Sequence, residues 1–525
     1  MNRDLVVIEA PGKLRTLYRI FDSIGLHADI VATIGHFLEN PIDLKDLAVG
    51  FHDGQFVEYK RQPQRADAFA FLKDHLRRCT GRVLIATDND HEGHVIAQDL
   101  VNLIAGMGVR QPVYRLIFNG LDVVSVKAGL QDLHPVDPSK ATPGSARRIV
   151  DRLIGGCLSD FDRGLPVGRV QSGLLGLCAG GIAHSSIALA MPAADGGKPF
   201  KAVVPVFAGK SPADLIAELE TSRISPAQVE KSESISLSSA MNFGDALFAL
   251  NDSMGMSLED GASLLQQLYE AGDITYPRTV SRGFTAAGVE TIERLAKLKG
   301  LMAFKRNQVP QLLIGDAHAH ESIRPLNEAL LKRLDLGKPF KLHANLNDAA
   351  MSLIARRACE TGIVVRRESP DLSSAPRWAQ ELSWTRESRR PVLPWPAATV
   401  SEVRTHAPER VLVEAMIETG IGRPSTWVSH ASKFTSRSLV DDEFKLTVKG
   451  LAVLAHAPEA LRHVVTSAAI EAMFEDEKSD VADLVESALL AAHGGDEQAT
   501  LQLINRLENL ADEYEEYRPQ IRRSI

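Results

Sequence analysis

The chain has 525 residues, of which 44% are hydrophobic and 24% charged, and its formal net charge is −8. This length favours three to four domains rather than one, roughly. The negative balance excludes a uniformly basic protein, so any nucleic-acid contact has to come from local clusters of Lys and Arg. The four cysteines include no Cys-x-x-Cys pair, which excludes a zinc ribbon and makes a disulfide scaffold a poor expectation.

The sequence predicts no membrane segment. The apolar run at the start, residues 5–8, is short and leads directly into Glu9, unlike a signal peptide. No stretch of about 18 uncharged apolar residues follows, which is the length that a membrane-spanning helix requires. We therefore expect a cytoplasmic protein with no membrane partner.

Two early segments read as buried strand, polar turn and helix. The first runs through residues 5–8 into a helical pattern that ends near Phe21, and the second runs through residues 82–87 into a helix that ends near Leu103. This order predicts a parallel sheet, and ligands of such sheets collect where the strands end. The side chains expected at that edge are Glu9, Lys13, Asp88, Asp90 and Glu92.

Asp88, Asp90 and Glu92 alternate with other residues in the second turn. Three carboxylates this close repel one another unless a cation joins them, and a hard ion such as Mg²⁺ suits them. The spacing does not match a calcium loop, and the sequence around Lys13 lacks the glycine and Ser/Thr of a phosphate-binding loop. The turn therefore predicts a magnesium site and no nucleotide hydrolysis.

The rest of the chain alternates between helical and strand-rich patterns. Residues 146–180 look helical, and Arg148, Asp151 and Arg152 fall within one turn, where simple pairing on a helix surface is the alternative to ligand binding. Strand-like runs and prolines mark 200–237 and 360–415, whereas 245–335 and 414–516 are mostly helical.

Tyr276 lies in a short segment between Gly272 and Pro277, where a helix is expected to end. Arg278 follows two residues later and would point to the same side on an extended strand. A phenol near a cation and a carboxylate cluster is suited to attack a phosphodiester. The alternative is that Tyr276 is a packed tyrosine with a satisfied hydroxyl, the commoner state of such residues.

Several motifs in the same order resemble those of the type IA DNA topoisomerases, and the resemblance covers nearly the whole chain. Residues 5–13, 86–93 and 115–119 resemble the family's Toprim domain, and 146–153 and 168–172 its DNA-groove helices. Residues 275–279 resemble the catalytic tyrosine motif, 319–325 the active-site histidine motif, and 420–426 the late groove motif.

The resemblance implies a multidomain α/β fold in which four domains form a torus. The expected boundaries are a Toprim domain at 1–145, a helical groove domain at 146–195 and 415–525, a strand-rich arch at 196–244 and 340–414, and a helical catalytic domain at 245–339. It also implies an enzyme that cuts one DNA strand, joins the tyrosine to the 5′ phosphate, passes a strand and reseals the break without ATP. The phosphotyrosyl bond keeps the energy of the phosphodiester.

The resemblance assigns roles to particular side chains. The expected catalytic residues are Tyr276, Arg278, Glu9, Lys13 and His320. The expected DNA-binding residues are Arg115, Arg147, Arg148, Asp151, Arg152, Arg169, Gln171, Ser172, Arg324 and Arg423. The expected ligands of Mg²⁺ are Glu9, Asp88, Asp90 and Glu92, with no zinc. The expected partner is single-stranded or underwound DNA, bound by a monomer associated with the nucleoid.

Three positions depart from the family pattern. His91 stands where the family usually has Arg, Val280 where it has Asp, and Gly120 where it has Glu. These departures leave room for a catalytically silent, DNA-binding relative. A Toprim-type nuclease or primase-like enzyme is the second alternative, although it would leave the tyrosine and histidine motifs without a purpose.

Overall fold

The structure is a computed structural model that describes residues 3–207, 211–220, 224–312, 320–396 and 403–508. Its first part is an α/β unit with the following helices and strands: β1 (Asp4–Ile8), α1 (Leu14–Ile24), β2 (Ala28–Ala32), β3 (Leu38–Glu39), β4 (Val49–His52), β5 (Gln55–Glu58), β6 (Gln62–Pro63), α2 (Ala66–Arg78), β7 (Val83–Ala86), α3 (His91–Gly106), β8 (Val113–Arg115) and α4 (Val123–Gln131). Four of these strands form a parallel sheet in the order β2-β1-β7-β8, as predicted.

The central strand β1 is buried on both faces. Val6 and Ile8 join a core that extends into the later helices, whereas Leu5 and Val7 pack on the other side with residues of α2 and α3. Alternate side chains of a strand point to opposite faces, so a continuous apolar run is needed where both faces are covered. Packing on both faces therefore holds the sheet in place, and the carboxyl ends of its strands have a defined position.

Two long helices follow, and then a strand-rich part of the chain begins. These elements are α5 (Thr142–Leu158), α6 (Arg169–Gly180), β9 (Ala183–Met191), β10 (Phe200–Phe207), α7 (Pro212–Glu220) and β11 (Val229–Ser236). The next part is helical: α8 (Phe243–Met254), α9 (Leu258–Ala271), α10 (Ala286–Leu298), α11 (Glu328–Arg333) and α12 (Leu346–Glu360).

The last part returns to short strands and ends in helices. Its elements are β12 (Val364–Pro370), α13 (Arg377–Gln380), β13 (Arg386–Arg389), β14 (Val403–Thr405), α14 (Pro408–Thr419), α15 (Trp427–Ser436), α16 (Val448–His456), α17 (Val464–Met473) and α18 (Val481–Ala492), followed by helical residues 497–508. Short 3-10 helices occur at Pro11–Lys13, Pro138–Ala141, Arg306–Gln308, Phe340–Leu342 and Ala460–Arg462. No helix in the described ranges is both long and apolar enough to cross a bilayer.

The strand-rich segments form two antiparallel sheets, β10-β9-β14 and β11-β12-β13. Both sheets join strands from before and after the helical part 243–360, so that part is inserted between them. Strand β9 begins at Ala183, earlier than the predicted start of the arch at 196. Helix α12 lies inside the predicted arch range but packs on α8 and α10. The four-domain division itself stays a prediction.

Candidate active site

The turn after β7 places Asp88 and Asp90 at the carboxyl edge of the sheet. Asp90 caps α3, because its Oδ1 accepts a hydrogen bond of 2.8 Å from the backbone N–H of Gly93. A Cβ at Gly93 would lie 2.0 Å from the carbonyl oxygen of Asp88, so only glycine fits there. The sequence motif is thus a tightly closed turn that fixes two carboxylates.

Tyr276 reaches this turn from the other side. Helix α9 ends at Gly272, whose φ is 81°, and the chain then runs extended through Thr275 and Tyr276. The N–H of Tyr276 donates to the carbonyl of Asn119 at 3.1 Å, and its hydroxyl donates to Oδ2 of Asp90 at 2.6 Å. Tyr276 is 1% exposed. The structure therefore brings the tyrosine and carboxylate motifs into direct contact.

Lys13 completes what we call the catalytic junction, which consists of Glu9, Lys13, Asp88, Asp90 and Tyr276. The buried Lys13 ammonium donates to Oδ1 of Asp88. It also lies 5.0 Å from the ring centroid of Tyr269, which meets the Tyr276 ring edge-on at 5.3 Å. A single cation thus contacts a carboxylate and one ring of the aromatic pair.

The junction is crowded with negative charge. Burial, followed by the charges of Asp88 and Asp90, raises the pKa of Glu9 to about 7. Burial, followed by Asp90 and Asp88, also raises the pKa of the Tyr276 phenol well above its ordinary value. Burial alone would raise the pKa of Asp90, but the hydrogen bonds from Tyr276 and Gly93 lower it. Tyr276 is therefore a neutral phenol bonded to an ionised Asp90.

Arg278 and His320 flank the tyrosine. Burial lowers the pKa of Arg278, but the nearby Tyr276 and Asp90 outweigh this effect. The pKa is therefore raised overall, and the guanidinium is charged. The His320 ring centroid lies 4.3 Å from that of Tyr276, and its Nδ1 is 3.2 Å from Oδ1 of Asn119. Burial lowers the pKa of His320, so a neutral imidazole packs on the phenol. The five predicted catalytic residues are thus neighbours.

The four predicted magnesium ligands are not all brought together. Glu92 points to His36, with Oε2 and Nε2 2.6 Å apart, while Asp88 pairs with Lys13 and Asp90 with Tyr276. Within the described ranges, no three His, Cys, Asp or Glu side chains are grouped as ligands of one metal ion. Glu9, Asp88 and Asp90 nevertheless suit a divalent cation chemically, because burial and then the charges of Asp88 and Asp90 raise the pKa of Glu9, and a cation would offset that charge.

His36 was not singled out from the sequence. It follows β2 on a loop in which Ile34 has a φ of 62° and Gly35 a φ of 79°. A β-branched residue in the left-handed region is strained, and such strain often marks a functional loop. The loop is held by the N–H of Ile34, which donates to the carbonyl of Glu9 at 2.9 Å. The sequence Ile-Gly-His at a strand end was the available signal.

A second charged group, the arginine cluster, consists of Arg147, Arg169, Arg423 and Glu471. Glu471 accepts hydrogen bonds from Arg169 and, at 2.5 Å, from Nε of Arg423, and Nη2 of Arg147 lies 3.0 Å away. A cavity of about 320 Å³ is lined by Arg147 and Arg423 of the cluster together with Asp90, Arg278 and His320. The cluster therefore opens towards the catalytic junction.

Three other predicted DNA-binding residues form hydrogen bonds to groups of the protein itself. Arg115, 2% exposed, donates to the carbonyls of Ile85, Thr87 and Asp88, at 2.8 to 3.0 Å. Arg152 donates to the carbonyls of Asp43, Asp46 and Leu47. The buried Arg324 forms a double hydrogen bond to Glu321, at 2.7 and 2.9 Å. Direct DNA contact by these three is not supported, because their donors hold buried protein groups.

Arg148 and Asp151 do not pair with each other, although pairing on the helix surface was the expected alternative to ligand binding. Arg148 binds Glu58, with Nε at 2.8 Å, and Asp151 binds Arg169, with Nε at 3.0 Å. Asp151, Arg169 and Gln171 line a second cavity of about 280 Å³. Ser172 is fully buried, away from any surface that a strand could reach.

The three departures from the family pattern have different surroundings. A Cβ at Gly120, which is paired with Thr275, would lie 2.8 Å from Cδ1 of Leu326, so a side chain there requires the leucine to shift. Val280 is 62% exposed, and both it and His91 line the 320 Å³ cavity. The Tyr276 hydroxyl donates its hydrogen bond to Asp90, which is none of these three residues.

Comparisons with known proteins agree with this arrangement. The Toprim domain profile matches residues 4–121. DNA topoisomerase 1 of Aquifex aeolicus is 26% identical over 504 residues, covering 85% of this chain and 88% of that protein. The DNA topoisomerase 1 of Treponema pallidum is 31% identical over 177 residues, and that of Buchnera aphidicola 24% over 531. Over about 85% of its length the chain is thus similar to DNA topoisomerase 1 proteins, in agreement with the resemblance of its motifs to those of the type IA DNA topoisomerases.

The alignments differ in extent. They cover 33% of this chain and 23% of the Treponema pallidum protein, and 84% of this chain and 59% of the Buchnera aphidicola protein. The solved structure of full-length topoisomerase I from Thermotoga maritima matches with a TM-score of 0.63 and 18% identity, over 94% of this chain and 90% of that one. This likeness shows the fold and confirms the predicted multidomain α/β torus.

Proposed function

We propose that the chain cuts one DNA strand with Tyr276, passes a strand through the break and reseals it, without ATP. The observation that carries this proposal is the hydrogen bond of 2.6 Å between the Tyr276 hydroxyl and Asp90, which joins the tyrosine segment to the Toprim turn. A nucleophile, two cations and several carboxylates meet there, which is the equipment of phosphoryl transfer by a covalent intermediate. The same steps of cutting, strand passage and resealing would serve both the relaxation of supercoils and the separation of linked DNA.

The cutting step is a transesterification. The Tyr276 oxygen forms a bond to phosphorus, the bond between phosphorus and the 3′ oxygen breaks, and the 5′ phosphate stays on the tyrosine. The phenol proton passes to a carboxylate of the junction, and a second carboxyl group protonates the departing 3′ oxygen. Glu9 suits that second role, because a pKa of about 7 gives it a proton to donate near neutrality.

Lys13 and Arg278 are the proposed stabilisers of the phosphoryl charge. Both are buried or nearly so, and a cation in a water-poor site acts on developing negative charge more strongly than it would in water. The charge of Arg278 lowers the pKa of Tyr276, because it favours the phenolate, although burial and Asp90 raise that pKa overall. The neutral His320 packs on the phenol ring and positions it.

Magnesium is proposed as a cofactor, held by Glu9, Asp88 and Asp90, with Glu92 kept aside by His36. A divalent ion there supplies positive charge that offsets the carboxylates and the DNA phosphates. Binding can be measured without activity, as an increase in the melting temperature of the wild-type protein with Mg²⁺. Asp88→Asn should abolish most of that increase, whereas Glu92→Gln should retain it. Equal increases in both variants would refute this ligand set.

Relaxation of negatively supercoiled plasmid with Mg²⁺ tests the function directly. The matched measurement is trapping of protein on a labelled single strand by denaturant. Relaxation together with a covalent adduct, both absent from Tyr276→Phe, is the expected result. Cleaved DNA without an adduct would instead identify a nuclease, and binding without cleavage a silent relative.

The DNA partner is proposed to be single-stranded or underwound, with the arginines of the cluster binding its phosphates rather than reading its bases. We further propose that the protein acts as a monomer on DNA of the cytoplasmic nucleoid. Sedimentation of the protein with and without a single-stranded oligonucleotide would test the monomer.

A further inference from the structure

Glu471 is a buried acidic residue for which the chemistry above has no use. It lies on α17 and is 5% exposed. Its carboxylate contacts guanidinium groups from three separate elements: Arg147 on α5, Arg169 on α6 and Arg423 before α15. One carboxylate thus connects three cations that are far apart in the sequence.

The turn that follows α17 continues this arrangement. Phe474 and Glu475 come directly after Met473, the last residue of that helix. The guanidinium carbons of Arg147 and Arg169 lie 5.2 and 5.5 Å from the centroid of the Phe474 ring. Each of these two arginines is therefore held by a carboxylate and by an aromatic face.

The cluster keeps a donor for something else. Nε of Arg147 is buried and has no hydrogen-bond partner among the residues that the structure describes, although buried polar groups are nearly always paired. It belongs to a side chain that lines the cavity of about 320 Å³ leading to Arg278 and His320. An oxygen-rich anion in that cavity would satisfy the donor.

The charges explain why a fixed carboxylate is needed. Burial would raise the pKa of Glu471, but the three arginines, Arg169 most strongly, lower it to about 2. It is therefore ionised at every physiological pH. Without that charge, three guanidinium groups would share one buried space and repel one another, and each would turn towards water.

Glu475 is a natural contrast. It pairs with the same Arg423, but its side chain is 56% exposed and it lies at the rim of the cavity. An exposed carboxylate in water contributes little to holding its partner. It instead occupies an arginine that a DNA phosphate would otherwise bind.

We propose that Glu471 is a positioning residue: anchored by the buried Arg169, it holds Arg147 and Arg423 as one binding site for a backbone phosphate next to the bond that Tyr276 cuts. Glu475 is the exposed competitor of that phosphate on Arg423. This inference rests on the proposed function, because it assumes that a DNA strand runs through the cavity to the tyrosine.

The experiment compares Glu471→Gln with Glu475→Gln, both in the Tyr276→Phe background to prevent cleavage. Each substitution removes one negative charge from the same site, so an effect of net charge alone would be equal in the two. Fluorescence anisotropy with a labelled single-stranded oligonucleotide gives affinity over a range of salt concentrations. Glu475→Gln should bind as tightly as the parent or a few fold more tightly, whereas Glu471→Gln should bind about tenfold more weakly with a salt slope lower by about one or more.

Tighter or unchanged binding by Glu471→Gln, with an unchanged slope, would overturn the proposal. Glu471→Asp keeps the charge on a shorter side chain and serves if the amide variant does not fold. It should melt near the parent temperature and bind about threefold more weakly, because it cannot reach all three arginines. Parental affinity and slope in this variant would also count against positioning. Failure of the parent to bind any single strand would refute the proposed function instead.

Discussion

The catalytic junction and the arginine cluster are neighbours with opposite electrostatic character. In the junction, three carboxylates outnumber the buried ammonium of Lys13, and the pKa of Glu9 rises to about 7. In the cluster, three guanidinium groups surround one buried carboxylate, whose pKa falls to about 2. A DNA backbone is therefore attracted by the cluster and resisted by the junction, so binding and chemistry depend on different residues.

The two regions also differ in how they are assembled. The cluster joins α5, α6 and α17 by buried ion pairs, whereas the junction joins the Toprim turn to a segment 186 residues later through the Tyr276 hydroxyl. Tyr276 is 1% exposed, so a strand reaches it only if the junction opens. Substitutions in the junction should thus affect reaction rate, and those in the cluster mainly affinity.

The largest effect is expected from Tyr276→Phe. The ring would keep its packing on Tyr269 and His320, but the nucleophilic oxygen is lost. Covalent adduct formation should fall by at least about 10⁴-fold, with single-strand affinity within about threefold of wild type. Adduct yield on a labelled oligonucleotide measures the first, and anisotropy the second. Tyr269→Phe is the matched control, and an adduct that survives in Tyr276→Phe would place the nucleophile elsewhere.

Lys13→Met should reduce cleavage by about 10²- to 10³-fold, because it removes a cation from a water-poor site. It also leaves the buried carboxylate of Asp88 without its partner, which should lower the free energy of unfolding by roughly 3–5 kcal/mol. Single-turnover cleavage and chemical denaturation measure the two losses. If cleavage were reduced less than threefold in a folded variant, Lys13 would be a structural residue.

The pH dependence of cleavage should reveal Glu9. Its pKa of about 7 means that the protonated form predominates below pH 7 and declines above it. If that proton goes to the 3′ oxygen, the rate of cleavage measured without Mg²⁺, which would keep Glu9 ionised, should fall about tenfold per pH unit above 7. Glu9→Gln should be slower by about 10- to 100-fold and should lack this inflection. An identical inflection in the variant would assign the titration to another group.

The smallest expected effect separates two arginines that look alike in the sequence. Arg423→Ala should weaken single-strand binding several fold and reduce the salt slope by about one unit, since it removes one phosphate contact. Arg152→Ala should leave the slope unchanged but lower the melting temperature, because Arg152 holds the loop carbonyls of Asp43 and Leu47. Equal changes of the salt slope in the two variants would contradict the assignment of Arg423 to phosphate binding and of Arg152 to the protein interior.

Local pattern was sufficient for part of the molecule. The apolar runs at 5–8 and 83–86 predicted the parallel sheet, and the turn residues predicted where Asp88 and Asp90 lie. The same patterns could not show that Glu92 bonds to His36, since that contact joins residues 56 positions apart. The domain boundaries and the roles of the site residues stay predictions.

The arginines show the same limit more clearly. Arg169 and Glu471 are 302 positions apart, and only packing of α6 against α17 brings them together. Spacing along a helix suggested that Arg148 and Asp151 could pair, but each binds a more distant residue. A guanidinium that binds phosphate and one that binds backbone carbonyls have the same sequence signature, because both need five donors at the end of a flexible chain.

The backbone around the tyrosine contains a built-in probe of how often the junction separates. The N–H of Tyr276 donates to the carbonyl of Asn119, across the junction, whereas the N–H of Thr275 donates to the carbonyl of Arg324, on its own side. Separation would expose the first amide to deuterium exchange and leave the second protected. Two adjacent protons thus form a signal and its internal reference, and their exchange ratio would report the open fraction of the native protein without any label or DNA.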